Sequence, residues 1–210
     1  MLFTVKTFSA SAEEIEPYID SLRNLQRDNL IVDLRNNSGG TIASALPLAR
    51  FLVKDTLYGG VFITQKYFKI HDQLPSVDDY KKFDIFSEAS FELIIKGIHT
   101  TEGLCLVVYP EKNSFSGKIY ILTNRYTGST CEPLVYGLKH SKRATIVGEK
   151  TYGGMLNGEK FNITKSFRLW VPTADYYTSD GKKIDRVGVA PDVACKPEEA
   201  LERTLGLINK

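Results

Sequence analysis

The stretch Asn29-Leu-Ile-Val-Asp-Leu-Arg-Asn-Asn-Ser-Gly-Gly40 decides the fold class. Its first six residues are a nearly continuous apolar run, whose length and β-branching predict a buried strand. Arg35 to Gly40 form a cluster of turn-forming residues. A helical pattern follows, with Pro47 expected either to kink the helix or to mark a late start. Its apolar positions are Ile42, Ala45, Leu46, Ala49, Leu52 and Val53.

The residues before this stretch predict a strand and a helix. Leu2 to Thr7 has the composition of a short strand, and Ser11-Ala-Glu-Glu14 is a capping-box sequence that opens a helix. Apolar residues at positions 15, 18, 19, 22 and 25 give that helix one buried face. Residues 1–53 therefore predict strand, helix, strand and helix, an alternation typical of a parallel α/β sheet.

A second strand, turn and helix repeat this plan downstream. Residues 118–123 predict a buried strand, Gly128-Ser129 a turn, and residues 130–140 a helix. The next strand is expected at 144–147. Further predictions are strands at 61–69, 161–163 and 167–172, a weak helix at 86–98, and a last helix opened by Pro197.

Length and composition limit the class of protein. The 210 residues, 42% of them hydrophobic and 25% charged, predict a single globular domain over 1–210. The 27 basic and 25 acidic residues are too balanced for a polyanion binder, which disfavours nucleic acid as the main partner. The sequence contains no apolar run of about 18 residues, so it predicts no membrane-spanning segment. Three cysteines without C-x-x-C spacing and three histidines predict no metal site.

The first turn is a candidate anion site. Backbone N–H groups at Gly39 and Gly40, between a strand and a helix, are unshielded by side chains and can hold a phosphate or a developing oxyanion. The alternative is a tight turn that needs glycine only for its backbone angles. The spacing matches neither nucleotide-binding glycine motif, which disfavours a nucleotide loop.

The second turn carries a candidate nucleophile. Ser129, between a strand and a helix, would expose its hydroxyl at the positive end of the helix dipole. Alternatively Ser129 caps the helix, because Ser129-Thr-Cys-Glu132 is itself a capping-box sequence. His140 is about 16 Å further along the same helix and cannot serve as its base. His71 and His99 cannot be placed from the sequence.

Four ordered segments resemble the C-terminal-processing (tail-specific) serine peptidases, the family that includes the tricorn protease core. Residues 30–40 are similar to the family's DLRNNGGG strand and turn, and residues 122–132 resemble its T-x-S-x-x-E nucleophile segment. Residues 148–153 resemble G-E-x-T-x-G, and residues 180–192 resemble its DG…GV-x-PD tail. The resemblance implies an α/β fold, the ClpP/crotonase-like stack of β-β-α units.

The resemblance also implies roles for individual residues. Ser129 matches the acylating serine, and Glu132 matches the glutamate on the following helix. The N–H of Thr130 and one of Gly39 or Gly40 would form the oxyanion hole. Which glycine donates stays open.

One departure from the family concerns the general base. In the Ser-Lys branch a lysine follows T-x-G, whereas Gly154 stands at that position here. The chain therefore resembles the tricorn-like branch, in which a histidine from a separate N-terminal segment is the base and an acidic residue assists. Asp185 is the nearest candidate for that acid, and no histidine precedes His71. We expect a catalytic-core segment of a longer protein, or a degenerate member.

The function implied is a serine-type endopeptidase that acts on peptide or protein substrates through an acyl-enzyme, with no cofactor or metal. The first alternative is a peptide-binding module of the same fold that has lost its base. The second is an acyl-CoA-handling crotonase, which the DLRNNSGG segment argues against. The family is often exported, and a homo-oligomer is possible; neither the compartment nor the oligomer is fixed by the sequence.

Overall fold

The computed structural model describes residues 1–25 and 27–209, which form two five-stranded sheets flanked by helices. In chain order the elements are β1 (Leu2–Thr4), α1 (Ala12–Arg23), β2 (Asn29–Asp33), α2 (Ile42–Leu52), β3 (Leu57–Thr64), α3 (Gln65–Phe68), a 3-10 helix (Val77–Lys82), β4 (Asp84–Phe86), α4 (Phe91–Thr100), β5 (Gly103–Val108), β6 (Lys118–Thr123), α5 (Cys131–His140), β7 (Ala144–Gly148), β8 (Leu156–Asn162), β9 (Arg168–Tyr177), β10 (Val193–Ala194), a 3-10 helix (Pro197–Glu199) and α6 (Ala200–Ile208). None of these helices is long and apolar enough to cross a lipid bilayer.

The first sheet is parallel, in the order β1-β2-β6-β7-β10. This confirms the parallel α/β sheet predicted from residues 1–53 and the second strand–turn–helix unit, β6 and α5. One face packs on the main core through residues such as Val32 and Ile121. The other face carries Ile31, Tyr120 and Leu122. That face is covered by α6, so both faces of the central strands are buried, as their continuous apolar runs require.

The second sheet is mixed, in the order β4-β5-β3-β9-β8. Phe62 of β3 and Leu104 of β5 lie in the same hydrophobic core as Leu48 of α2 and Val135 of α5. The main core therefore joins the two sheets through these helices. This sheet also supplies one wall of the apolar cavity described below.

Local caps explain where the helices near the two turns begin. The hydroxyl of Thr41 accepts a 3.1 Å hydrogen bond from Ser44 N and starts α2 at Ile42, so the late start considered for Pro47 is wrong. Pro47 lies inside the helix without ending it. Pro133 lies in the first turn of α5, where proline costs no intrahelical bond.

Several local predictions were wrong in their boundaries, including the first strand, which ends at Thr4 rather than Thr7. Residues 65–68 are helical rather than extended, because the Thr64 hydroxyl accepts a hydrogen bond from Lys66 N and caps a short helix. The helix predicted at 86–98 begins at Phe91, where Ser90 caps it, while Phe86 ends β4. The two strands predicted at 161–163 and 167–172 overlap the longer β8, which ends at Asn162, and β9, which begins at Arg168.

Candidate active site

The two candidate turns lie side by side at the carboxyl edge of the parallel sheet. β2 and β6 are hydrogen-bonded neighbours, with Asp33 opposite Leu122 at their ends. Each strand leads directly into its turn and then into a helix. Parallel neighbours end at the same edge, so the turn at 35–40 meets the turn at 124–130.

Polar side chains lock the two turns together. Asn124 Nδ2 donates to Asn36 Oδ1 at 2.8 Å, and Asn36 N donates to Asn124 Oδ1 at 3.0 Å. The Thr127 hydroxyl donates to Leu34 O at 2.8 Å. These residues were not singled out from the sequence. Their signal was the abundance of Asn and Thr in both turns, since short amide and hydroxyl side chains bond neighbouring backbone.

Ser129 occupies a strained elbow with an uncommitted side chain. Its φ of 53° lies in the left-handed region, which non-glycine residues rarely adopt. A Cβ placed on Gly39 would be 2.7 Å from Ser129 Cβ, so the two turns touch at this point. The Ser129 side chain provides no cap for α5, and its hydroxyl has no hydrogen bond among the described residues.

The backbone donors of the two turns differ in availability. Gly39 N donates to Asn37 Oδ1 at 2.9 Å and is therefore already engaged. For Gly40 N and Thr130 N, no acceptor occurs within residues 1–25 and 27–209. The Thr130 hydroxyl donates to Gly40 O at 2.8 Å and so holds these two residues next to each other.

Glu132 is fully buried and organises the backbone around Ser129. Its Oε2 accepts hydrogen bonds from Ser129 N (3.0 Å) and Gly154 N (2.8 Å). Its Oε1 accepts from the Thr151 hydroxyl (2.6 Å) and Gly153 N (2.7 Å). Burial raises the pKa of Glu132, and the four donated hydrogen bonds act in the opposite direction. The carboxylate bonds the backbone of Ser129, not its hydroxyl.

Asp185 lies in a turn that packs on the loop bound by Glu132. Arg186, the next residue, donates its backbone N–H to Gly153 O at 2.7 Å. The Asp185 side chain is only 13% exposed, and Arg186 Nε is 3.9 Å from its Oδ2. Among the described residues, no hydrogen bond or ion pair joins Asp185 to Ser129. The structure thus brings Ser129, Gly39, Gly40, Thr130 and Glu132 together, with Asp185 one loop away.

None of the three histidines hydrogen-bonds to Ser129. His71 Nε2 is 3.0 Å from Glu102 Oε2, and His99 Nε2 is 3.0 Å from Glu159. The ring of His140 stacks on Tyr136, with 5.7 Å between centroids. Within the described part of the chain, no three His, Cys, Asp or Glu side chains gather as a metal site.

A narrow apolar cavity of about 50 Å³ opens beside Thr130. Its walls come from α2, from strands β3, β4 and β5 of the second sheet and from the first turn of α5. They include Ile42, Leu46, Leu106 and Leu134. A cavity with this lining, next to a candidate nucleophile, can receive a small apolar side chain.

Comparison with known protein families places this chain in a family. A model of peptidase family S41 matches residues 2–195, nearly the whole chain. The chain belongs to peptidase family S41. This confirms the resemblance to the C-terminal-processing peptidases and the fold that it implied.

Several proteins are similar to this S41 chain. A chloroplastic C-terminal processing peptidase of Tetradesmus obliquus is 29% identical over 171 residues, 80% of this chain and 29% of that protein. A carboxyl-terminal-processing protease of Synechocystis sp. is 26% identical over 186 residues, 88% of this chain and 35% of that protein. The chain spans about a third of the length of these relatives.

Solved structures show the same S41 fold. A photosystem II D1 C-terminal processing protease superposes with a TM-score of 0.64 at 26% identity, over 97% of this chain and 45% of that one. The tricorn protease superposes with a TM-score of 0.56 at 17% identity, over 96% of this chain and 16% of that one. At that identity the second likeness concerns the fold alone.

Proposed function

We propose that this S41 chain is the catalytic core of a serine-type endopeptidase, with Ser129 as the nucleophile. The observation that carries the proposal is the elbow. Ser129 has a left-handed backbone, and its hydroxyl has no hydrogen bond among the described residues. Strained backbone is typical of functional sites, and an uncommitted hydroxyl is what acyl transfer needs.

In the proposed reaction, the Ser129 oxygen attacks a peptide carbonyl carbon while its proton passes to a general base. The C–N bond then breaks, and the amine leaves with the proton returned by the base. Water hydrolyses the acyl ester and restores the hydroxyl. Each step conserves atoms and charge without a metal or a cofactor.

We assign the oxyanion hole to the N–H groups of Thr130 and Gly40. The availability of both donors supports this choice, whereas the N–H of Gly39 is engaged by Asn37. A donor of this kind contributes about 3–4 kcal/mol to the transition state in other enzymes. Gly39 then serves by its small size, because a side chain there would displace Ser129.

Glu132 is a positioning residue in this proposal. Its carboxylate fixes the Ser129 backbone and the loop at 151–154 through the same four hydrogen bonds. Asp185 is placed beside that loop, where it would orient a base rather than act on Ser129 itself. The apolar cavity beside Thr130 would hold the substrate side chain that precedes the cleaved bond.

No general base for Ser129 is identified among the described residues, and this favours a second candidate function. Gly154 stands where the Ser-Lys branch has lysine, and none of the three histidines hydrogen-bonds to Ser129. A peptide-binding module with an intact cleft and no base would show the same geometry.

Chemical rescue separates the two functions. The purified chain is incubated with an unstructured peptide whose residue before the scissile bond is alanine or valine, with and without imidazole as an external base. For a peptidase core we expect slow hydrolysis that rises with imidazole and disappears in Ser129→Ala. Peptide binding by both proteins, with no imidazole-dependent cleavage by either, would identify a binding module.

A further inference from the structure

An open groove of about 910 Å³ lies beside the candidate nucleophile. Tyr152 of its lining joins it to the Ser129 turn: Tyr152 N donates to Thr127 O at 2.8 Å, and a Cβ added to Gly128 would be 3.1 Å from Tyr152 Cβ. The apolar cavity, in contrast, is lined by Thr130. Gly128 and Thr130 are the residues before and after Ser129, so the groove and the cavity flank the nucleophile.

The groove combines aromatic and cationic side chains. Tyr126 and Tyr152 are 53% and 70% exposed. The guanidinium carbon of Arg125 lies 4.8 Å from the centroid of the Tyr126 ring, and Arg125 Nη2 donates to the Tyr126 hydroxyl at 2.8 Å. Lys150 and Lys196 are the other cations of the lining, and both are exposed.

The lining carries an excess of positive charge. Within its described residues, the three cations stand against a single carboxylate, Glu149. Glu149 Oε2 accepts the backbone N–H of Arg125 at 3.3 Å. None of the ion pairs formed by the described residues includes Arg125, Lys150 or Lys196. The adjoining cleft adds two cations and two carboxylates, and so no net charge: Lys6, Arg35, Asp33 and Glu198.

We propose that this groove binds the part of the substrate that follows the cleaved bond, and that it selects a segment with acidic residues. The inference rests on the proposed function, which places a peptide carbonyl at Ser129 and the preceding side chain in the apolar cavity. An extended peptide held in this way leaves Ser129 on the side away from the cavity and enters the groove. Its carboxylates then pair with the cations, while the tyrosine rings pack on its apolar parts.

The reach of the chain limits where the acidic residues lie. Arg125 is four residues before Ser129, so their Cα atoms are at most about 14 Å apart. About four residues of an extended substrate span the same distance. We therefore expect the acidic residues at the second to fourth positions after the cleaved bond, beyond the contact with Tyr152.

Charge and position favour this occupant over others. An apolar segment would cover the three cations without giving them a partner, which is unfavourable. A basic segment would be repelled. A fixed segment of a longer protein, or a second copy of the chain, would fill the space into which the substrate continues past Ser129.

Two matched peptides test the inference without depending on cleavage. Both have alanine before the scissile bond and an amidated C-terminus, which removes the terminal carboxylate. One has glutamate at the second to fourth positions after the bond, and the other has glutamine there. Fluorescence anisotropy measures their binding to Ser129→Ala. We expect the glutamate peptide to bind about three- to tenfold more tightly at low salt, as a few exposed ion pairs allow, and the preference to shrink as NaCl is added.

Charge-reversal variants of Ser129→Ala locate the preference. Arg125→Glu with Lys196→Glu should abolish or reverse it. Lys112→Glu with Lys165→Glu is the matched control, because it changes the net charge equally at exposed residues outside the groove, and it should keep the preference. A third peptide, with the three glutamates before the alanine, should bind no better than the glutamine peptide. Circular dichroism checks that each variant is folded.

Several results would overturn the inference. Equal binding of the two matched peptides does so, as does a preference that survives Arg125→Glu with Lys196→Glu. A preference that persists when tryptophan replaces the alanine would assign the groove to a separate acidic partner, because tryptophan does not fit the apolar cavity.

Imidazole-dependent cleavage by the wild-type chain tests the proposed function separately. Hydrolysis of both matched peptides with equal KM would support the peptidase and overturn the selectivity of the groove. Selective binding of the glutamate peptide without any hydrolysis would support the groove and identify a peptide-binding module.

Discussion

The backbone N–H of Ser129 donates a 3.0 Å hydrogen bond to Oε2 of Glu132, while the Ser129 hydroxyl does not cap the helix in return. A capping box would contain both bonds. Only the glutamate half forms here, because Ser129 has a left-handed φ of 53° rather than the extended backbone of a usual cap. In this S-x-x-E sequence the glutamate therefore fixes the backbone of the elbow, while the serine hydroxyl makes no cap bond.

Substitutions at Ser129 should separate capping from strain. We expect Ser129→Ala to change the free energy of unfolding by less than about 0.5 kcal/mol, because no cap bond is lost. Ser129→Gly should stabilise the chain by up to about 1 kcal/mol, because glycine adopts a left-handed backbone without steric cost. Urea unfolding of the three proteins measures both differences. A loss of about 1 kcal/mol in the alanine variant would instead assign the hydroxyl to capping.

Gly39→Ala should be costly because of its contact with the elbow. The new Cβ would lie 2.7 Å from Ser129 Cβ and 2.9 Å from Gly128 O, and φ at Gly39 is +97°. We expect a loss of about 2–3 kcal/mol in unfolding free energy, together with loss of any imidazole-dependent cleavage. Gly206→Ala is the control, since nothing lies within 4 Å of its Cβ position in α6, and alanine there should be neutral or stabilising. Equal effects at both glycines would show that Gly39 does not set the elbow.

Local sequence patterns predicted the parallel sheet and both turns, because a buried parallel strand needs a continuous apolar run and its turn needs Gly or Asn. The meeting of Gly39 with Ser129 rests on β2 and β6 being neighbours, and the family resemblance implied it by assigning both turns to one oxyanion hole. The hydrogen bonds between Asn36 and Asn124 join residues 88 positions apart, so no local pattern reports them.

The second sheet was harder to predict from the sequence. Gly103–Val108 forms a strand that pairs with β3 and β4. Its continuous apolar run from Leu104 to Val108 was the available signal for a buried strand, but the run itself does not name the strands that pair with it. Gly40 N is available as a donor and Gly39 N is not, because Gly39 N donates a hydrogen bond to the side chain of Asn37. Two adjacent glycines in the sequence do not reveal this difference. The distance of Asp185 from Ser129 likewise depends on how the loop at 184–188 packs.

Asp180 should contribute stability that depends on pH. Partial burial acts to raise its pKa, but hydrogen bonds from Lys182, Thr178 and Tyr136 outweigh this effect and hold the pKa below the ordinary 3.8. The contribution is therefore present above pH 3.8 and is lost as pH falls through the lower folded-state pKa. We expect Asp180→Asn to lose about 1 kcal/mol at neutral pH, with the gap to wild type narrowing below pH 3.8.

Urea unfolding of Asp180→Asn across a pH series measures that gap. The control is Asp72→Asn, which removes an exposed carboxylate with no hydrogen bond among the described residues. Its gap to wild type should stay near zero throughout. A gap for Asp180→Asn that stays constant into acid would show that the ionised carboxylate is not the source of the stability.

Glu132→Gln should disrupt the elbow through its hydrogen bonds rather than through its volume. Each carboxylate oxygen accepts two hydrogen bonds. Oε2 accepts from Ser129 N and Gly154 N, and Oε1 accepts from the Thr151 hydroxyl and Gly153 N. A glutamine side chain has one acceptor oxygen, so either orientation of its amide turns an NH₂ group toward two donors. Two buried donors then lose their partner.

We expect Glu132→Gln to lose about 2–4 kcal/mol in unfolding free energy, because each unsatisfied buried donor costs about 1–3 kcal/mol. Glu202→Gln on the exposed side of α6 is the matched control and should change stability by less than about 0.5 kcal/mol. Imidazole-dependent cleavage should fall in kcat with little change in KM, since Glu132 positions Ser129 without touching substrate. If Glu132→Gln lost stability but kept wild-type kcat, the four hydrogen bonds would support the fold alone, and the positioning role assigned to Glu132 would be wrong.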